Sequence, residues 1–358
     1  MVNYSIHTIQ LYCILSYTEY IYAKKNLLNL SCSVQPSRII TKKGITKESL
    51  LFRRLPYYGI NSIEIVNIKD NFAEINLRYV IYFTLNLYNA QTHNSDSDCH
   101  IINPEEIAPA FCNIMNDIHE IIGKHLLAFL RLKRVDFCLD LAFKDQASAQ
   151  EYISLLRLGI PRKHMHEHKY RDFTQHRKIA YKESLLLKCK SYEFQIYPKY
   201  LEMLNRKMAC PDEASGIVRL ELRAYQNKLS RLAEKYHIPY PECDIAKFLT
   251  KCPVITRNEI PKIVMNMVGQ HSFYSYDSIR EKIIASKYKD SIKDKMLKIS
   301  LYFARHSRQN LLEDFDLPQD KWYALLKKYD ALGCSPIPVP VRYSNPTYPG
   351  VSFWEQFF

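Results

Sequence analysis

The chain has 358 residues, enough for two domains or one large unit with an appendage, and its 47% hydrophobic content excludes global disorder. Fifty Lys and Arg against 37 Asp and Glu give a formal charge of +13, so the expected partner is a polyanion. Nucleic acid comes before an anionic membrane surface. Twenty-seven Tyr and 16 Phe accompany the charge. Rings that stack on bases beside cations that meet phosphates suit single-stranded or distorted DNA, although an A/T-rich coding sequence would enrich Tyr and Lys too. Ten cysteines without a Cys-x-x-Cys pair read as reduced core thiols in a cytoplasmic protein rather than a zinc ribbon. The apolar stretch Ile6 to Tyr22 is interrupted by Gln10 and Glu19 and is too short to span a bilayer; no signal peptide is evident.

Residues 1–40 read as an N-terminal extension, and 41–238 as the catalytic domain. Strands are predicted over 60–68 and 72–88, joined at Lys69-Asp70-Asn71. Thr92 to Asp98 is a polar loop. Pro104-Glu105-Glu106 then opens a helix predicted to run to about Leu132. Lys133 to Phe143 alternates, with Val135, Phe137, Leu139 and Leu141 on one face and Arg134, Asp136, Cys138 and Asp140 on the other. A helix at 146–158, strands near 177–187 and 190–197, a helix from Pro198 to about Lys207, a strand at 217–225 and a helix through Tyr236 follow. This order predicts an α+β fold, a ferredoxin/RRM-like antiparallel sheet with flanking helices. Pro239, Pro241 and Pro253 mark a boundary, and 239–358 reads as a mostly helical, basic C-terminal DNA-binding domain. Its helices suit either a helix-turn-helix reader or a solvated bundle. The tail after Pro336 reads as extended.

Three strand segments carry the candidate chemistry. In 190–197, Glu193, Gln195 and Tyr197 share a face, and Pro198 fits the first position of the next helix. Tyr197 therefore precedes a helix N-terminus, where free amides and the helix dipole favour negative charge. A free phenol titrates near pH 10, so a nucleophilic phenolate needs such help. Lys199 is placed to meet a phosphate or the leaving oxygen, and Tyr200 is a second phenol near the same site. Taken singly, a tyrosine is more often an amphipathic core residue. Asp136 and Glu221 each stand on the polar face of a strand with arginines two residues away. Such carboxylates are either cross-strand ion pairs or oxygen ligands for a hard cation, Mg²⁺ or Mn²⁺. Arg134, Arg219 and Arg223 would then balance phosphate charge. Asp140 lies roughly 13 Å beyond Asp136 along an extended strand and reads as a pairing residue.

Arg134-Val135-Asp136, then Tyr197-Pro198-Lys199-Tyr200-Leu201-Glu202, then Gly216 to Arg223 resemble the motifs of the filamentous-phage gene II replication initiators. The family's Tyr-x-Lys-x-x-Glu pattern matches Tyr197, Lys199 and Glu202. Its Arg-x-Glu-x-Arg strand matches Arg219, Glu221 and Arg223. Thr92-His93-Asn94 is similar to a Gly-His-Asn turn of the family with Thr replacing Gly, and Pro318 to Gly333 is similar to its Pro-x-x-x-Trp helix. The resemblance spans roughly residues 60–335. It implies a rolling-circle endonuclease that nicks phage origin DNA, leaves a 5′-phosphotyrosine on Tyr197 and rejoins the strand. With it, the residues predict Mg²⁺ or Mn²⁺ on Asp136 and Glu221, with His93 either a third ligand or a substrate-contacting or structural residue, and DNA contacts from Arg134, Arg219, Arg223 and Tyr200. The expected partners are single-stranded or supercoiled origin DNA, with host helicase, host polymerase and oligomers left open, in the bacterial host cytoplasm.

Two rival readings stand beside it. His164-Met165-His166 is a literal His-hydrophobe-His, the metal motif of plasmid and transposon relaxases, but it sits in a run too polar for a central strand. A non-catalytic origin-binding protein would keep the basic surface and do no chemistry.

Overall fold

The computed structural model describes residues 2–41, 44–70, 75–93, 100–168, 170–172, 177–179, 183–238, 244–305 and 311–354. Most of the polar loop expected at 92–98 and the boundary expected at 239 lie outside them. The first six strands are β1 (Val2–Leu15), β2 (Ser33–Ile40), β3 (Ile45–Arg53), β4 (Ile60–Asp70), β5 (Ile75–Asn86) and β6 (Arg131–Ala142). The remainder are β7 (His166–Glu167), β8 (Tyr170–Asp172), β9 (Arg177–Ile179), β10 (Leu185–Lys188), β11 (Tyr192–Pro198) and β12 (Ile217–Tyr225). Helices α1 (Tyr17–Leu30), α2 (Leu87–Thr92), α3 (Ile107–Ile122), α4 (Lys124–Leu127), α5 (Gln146–Leu158), α6 (Lys199–Arg206) and α7 (Gln226–Lys235) flank them. The C-terminal helices are α8 (Ile245–Val268), α9 (Tyr276–Ala285), α10 (Asp290–Arg305), α11 (Leu311–Asp314), α12 (Gln319–Ala331) and α13 (Val351–Trp354). The architecture is α+β, with a large antiparallel sheet, flanking helices and a helical C-terminal region, as the order of sequence patterns predicts.

The chain forms two compact units, neither continuous in sequence. One is Ser5–Cys138 with Arg223–Ile255; the other is Met1–Tyr4, Leu139–Leu222 and Thr256–Phe358.

In the first unit the strand order is β2-β3-β4-β5-β1-β6. The N-terminal segment is thus an interior strand, with Ile6, Ile9, Leu11 and Cys13 fully buried. β1 pairs antiparallel with β5 from Thr8 opposite Asn86 to Leu15 opposite Tyr79. Ser16 and Glu19 then form a reciprocal capping box that starts α1. The helix predicted to reach Leu132 ends earlier. Gly123 takes φ +87°, and its N–H donates to the His119 carbonyl, closing α3 at Ile122. Periodicity alone continues across that glycine because Leu126 and Leu130 remain buried.

In the second unit the order is β6-β12-β11-β10-β7. β11 follows its sequence pattern: Tyr192, Phe194 and Ile196 are buried, while Glu193, Gln195 and Tyr197 are half-buried. β10 sets its register, with Leu185 opposite Ile196 and Leu187 opposite Phe194. α5, started by the Asp145 carboxylate accepting from the Ser148 amide at 2.8 Å, packs on β11. α8 passes through Pro253, read as part of the boundary, and through Pro261. Both rings are buried, so packing offsets the hydrogen bonds they forgo. The tail is not simply extended. Residues 334–339 are buried, Tyr348 and Trp354 are nearly inaccessible, and Glu151 of α5 accepts from Ser344 and Tyr348.

β12 begins at a glycine that cannot be replaced freely. Gly216 has φ +74°, its carbonyl accepts from the Phe143 amide at 2.9 Å, and a Cβ there would stand 2.6 Å from the Phe143 carbonyl oxygen. Gly216→Ala is therefore expected to cost roughly 1–3 kcal/mol of stability. Urea unfolding reads this as a lowered midpoint, and an unchanged midpoint would contradict the close approach.

Candidate active site

The polar faces of β11 and β12 meet in the second unit. Tyr197 ends β11, and its hydroxyl donates to Glu221 Oε2 of β12 at 3.0 Å. Glu221 is 4% exposed and Tyr197 half-buried, so the bonded pair joins a buried carboxylate to a partly accessible tyrosine. Pro198 is the N-cap of α6 and makes no side-chain cap hydrogen bond, so Tyr197 stands directly before a helix N-terminus. A hydroxyl bonded to a carboxylate and standing before a helix N-terminus can lose its proton in one direction and meet negative charge in the other.

The neighbouring motif residues serve each other. Lys199 is fully buried, with Nζ 2.5 Å from Glu202 Oε2, and Arg206 Nε reaches Glu202 Oε1 at 2.9 Å. The spacings of three and four place all of these on one side of α6. Lys199 thus anchors the helix and does not project toward a phosphate, contrary to the role expected for it. Arg219 differs from its expected role in the same way. It is fully buried, and its Nε and Nη2 each lie 2.7 Å from a carboxylate oxygen of Asp140. A forked pair of this kind holds β12 to β6 and leaves Arg219 no path to DNA. Tyr200 is half-buried on the first turn of α6.

Asp136, Arg134 and Arg223 belong to the first unit. Asp136 is 2% exposed, and its Oδ1 is 3.0 Å from Arg134 Nε and 3.4 Å from Arg223 Nε. The guanidinium groups remain partly exposed, with side-chain accessibilities of 21% and 25%. His93 is also in the first unit, in the left-handed conformation at the end of α2 and edge-on to Tyr58. With Tyr57, Tyr58, Asn113, Asn116 and Asp117 it lines a cavity of about 480 Å³. Burial, then the Glu120 charge, pushes the Asp117 carboxyl above the usual carboxylate range, and His93 opposes that shift. Asn94, the last residue of the turn similar to the family's, lies outside the described residues.

The expected cation set does not fit these side chains as they stand. Among the described residues, no three His, Cys, Asp or Glu side chains gather to share an ion. Asp136 is engaged by two arginines, and Glu221 by the tyrosine it would have to leave. His164 is exposed and bonds the Tyr192 hydroxyl at 3.1 Å; His166 sits in the edge strand β7 opposite Lys188. The chemistry below is therefore derived without a metal.

No protein-family model matches the chain, and neither does any curated protein. Among solved structures, it is similar to a rolling circle replication initiator protein from Geobacillus stearothermophilus. The identity is 12%, covering 66% of this chain and 78% of that one, with a TM-score of 0.30. A likeness at that score carries no argument about function, which rests here on the residues. No described helix is long and apolar enough to cross a membrane.

The buried pair gives its own test. Arg219→Ala is expected to cost about 3–5 kcal/mol by leaving the Asp140 charge buried and unanswered. The double variant Arg219→Met with Asp140→Leu is expected to recover most of that loss in the same urea titration. Equal destabilisation by the single and double variants would contradict the account of the pair.

Proposed function

We propose that the chain initiates rolling-circle replication as an endonuclease that nicks and rejoins one strand of phage origin DNA through Tyr197. The observation that carries this reading is the Tyr197–Glu221 hydrogen bond at the start of α6. The motif resemblance and the +13 charge support it from the sequence side.

The reaction follows from that geometry. Glu221 Oε2 accepts the phenol proton as Tyr197 Oη attacks the scissile phosphorus. A tyrosyl O–P bond forms, the P–O3′ bond breaks, and the departing 3′ oxygen takes a proton from water. The products are a free 3′-hydroxyl and a 5′-phosphotyrosine. Joining reverses each step: a 3′-hydroxyl attacks the phosphotyrosine and the phenol recovers its proton. The amides opening α6 favour the charge that develops on the phosphoryl oxygens. Arg134 and Arg223 are proposed as contacts for the bound DNA. Arg219 and Lys199 are not, because both are buried and paired. The proposed setting is the bacterial host cytoplasm.

Supercoiled origin DNA and a denaturing gel test the proposal. Wild-type protein is expected to give a denaturation-resistant adduct, Tyr197→Phe none, and Tyr200→Phe a normal yield. Glu221→Gln, which keeps the shape and removes the base, is expected to slow nicking by 10²–10⁴-fold. Alanine at both His164 and His166 is expected to leave nicking intact, whereas a relaxase using them would lose it. Nicking in the presence of a chelator reads metal dependence directly; persistence agrees with Glu221 acting alone as proton acceptor. An adduct undiminished in Tyr197→Phe would remove the proposed nucleophile, and salt-dependent binding without any adduct would leave a non-catalytic origin-binding protein.

A further inference from the structure

In the second unit, α10 and α12 line a groove of about 340 Å³. Its floor is apolar, formed by Ile292, Leu317 and Leu325, and its rim carries Lys295, Lys321 and Lys328. On α12 the residues 321, 325 and 328 recur at intervals of four and three and so share one face. Lys295 and Lys328 are half-buried along their stems, and Lys321 is exposed. Among the described residues no carboxylate pairs with any of these three lysines. The ion pair on α10 runs instead from Lys298 to Asp294 at 2.7 Å. Lys328 Nζ lies 4.9 Å above the Tyr288 ring, a contact that fixes its stem without neutralising it.

We propose that this groove docks the phosphodiester backbone of duplex DNA. Three like charges gathered at one groove repel one another, and an approaching polyanion relieves that repulsion while releasing its own counterions. The occupant is a duplex because no aromatic side chain lines the groove. Single-strand sites pair their cations with rings on which bases stack, whereas the ring beside these lysines, Tyr288, is covered by Lys328 and lies outside the groove lining. Two regular helices also hold the cations more rigidly than loops would. The proposal rests on DNA being the partner in the function proposed above, and it adds a contact on an element separate in sequence from Tyr197.

The test is the salt dependence of binding to a fluorescent duplex about two helical turns long, read by anisotropy. Replacing Lys295, Lys321 and Lys328 together by Gln is expected to make the slope of log K against log salt shallower by about 2–3. Affinity at low salt is expected to fall roughly tenfold or more by the same counterion argument. The corresponding triple Lys→Arg variant keeps the charge and is expected to keep both quantities. Adduct formation by the Gln variant on a single-stranded oligonucleotide is expected to match wild type. Absence of an adduct in every protein, with the slope change intact, would count against the nicking reading and not against the groove. An unchanged slope would overturn the groove, as would an equal loss on a single strand of the same length.

Discussion

A guanidinium with no exposed surface has to be answered where it stands, and in this molecule Asp140 answers Arg219 with both carboxylate oxygens. That forked contact fixes β12 against β6 more tightly than backbone pairing alone, because neither ion can slide without leaving its partner charged and buried. Register matters here more than sheet stability. A slip of one residue would turn every side chain of β12 to the opposite face. Glu221 lies two residues along from Arg219 and therefore faces the same way, where Tyr197 of β11 reaches it. Gly216 guards the start of the same strand by its positive φ and its close approach to Phe143.

The short motifs divide into a scaffold and a reacting pair. In Tyr-x-Lys-x-x-Glu, the lysine and glutamate satisfy each other one turn apart on α6, and Arg206 closes the far side of Glu202. In Arg-x-Glu-x-Arg, the first arginine pairs with Asp140 and the last lies against Asp136. What each motif leaves uncommitted to scaffold is one residue, the tyrosine hydroxyl and the central carboxylate, and these two are bonded to one another. Charges that look like a phosphate-binding array in the sequence are thus largely internal. A basic groove that faces outward lies on α10 and α12.

Strands with period-two patterns were legible: β6, β11 and β12 fall where alternation puts them, and the helix after Tyr197 starts where Pro198 predicts. Polar partners were not. Alternation says that Arg134, Asp136 and Asp140 share a face, but not whether that face meets water, and β6 is buried on both from Val135 to Leu141. Helix ends failed where one backbone angle decided them, as at Gly123, and proline misled at Pro253 because burial compensates its missing donor. The first strand was hidden by Tyr4, Gln10 and Tyr12, which interrupt a run of Ile, Leu and Cys that forms core. His93 drew attention as an imidazole near a familiar turn; its surroundings, Tyr58 and Asp117, come from segments far apart in sequence. The lysine groove had one sequence signal, the spacing of 321, 325 and 328, although its partner helix is fixed only by packing.

The central claim is that the phenol oxygen of Tyr197 becomes bonded to phosphorus. Tandem mass spectrometry of the proteolysed, nuclease-trimmed protein–DNA adduct tests it most directly, by locating the residue that carries the nucleotide. The account predicts a nucleotidyl group on Tyr197 through its oxygen, in the peptide that contains Glu193 and Lys199. A nucleotide on Tyr200, or on any residue outside that peptide, would contradict it.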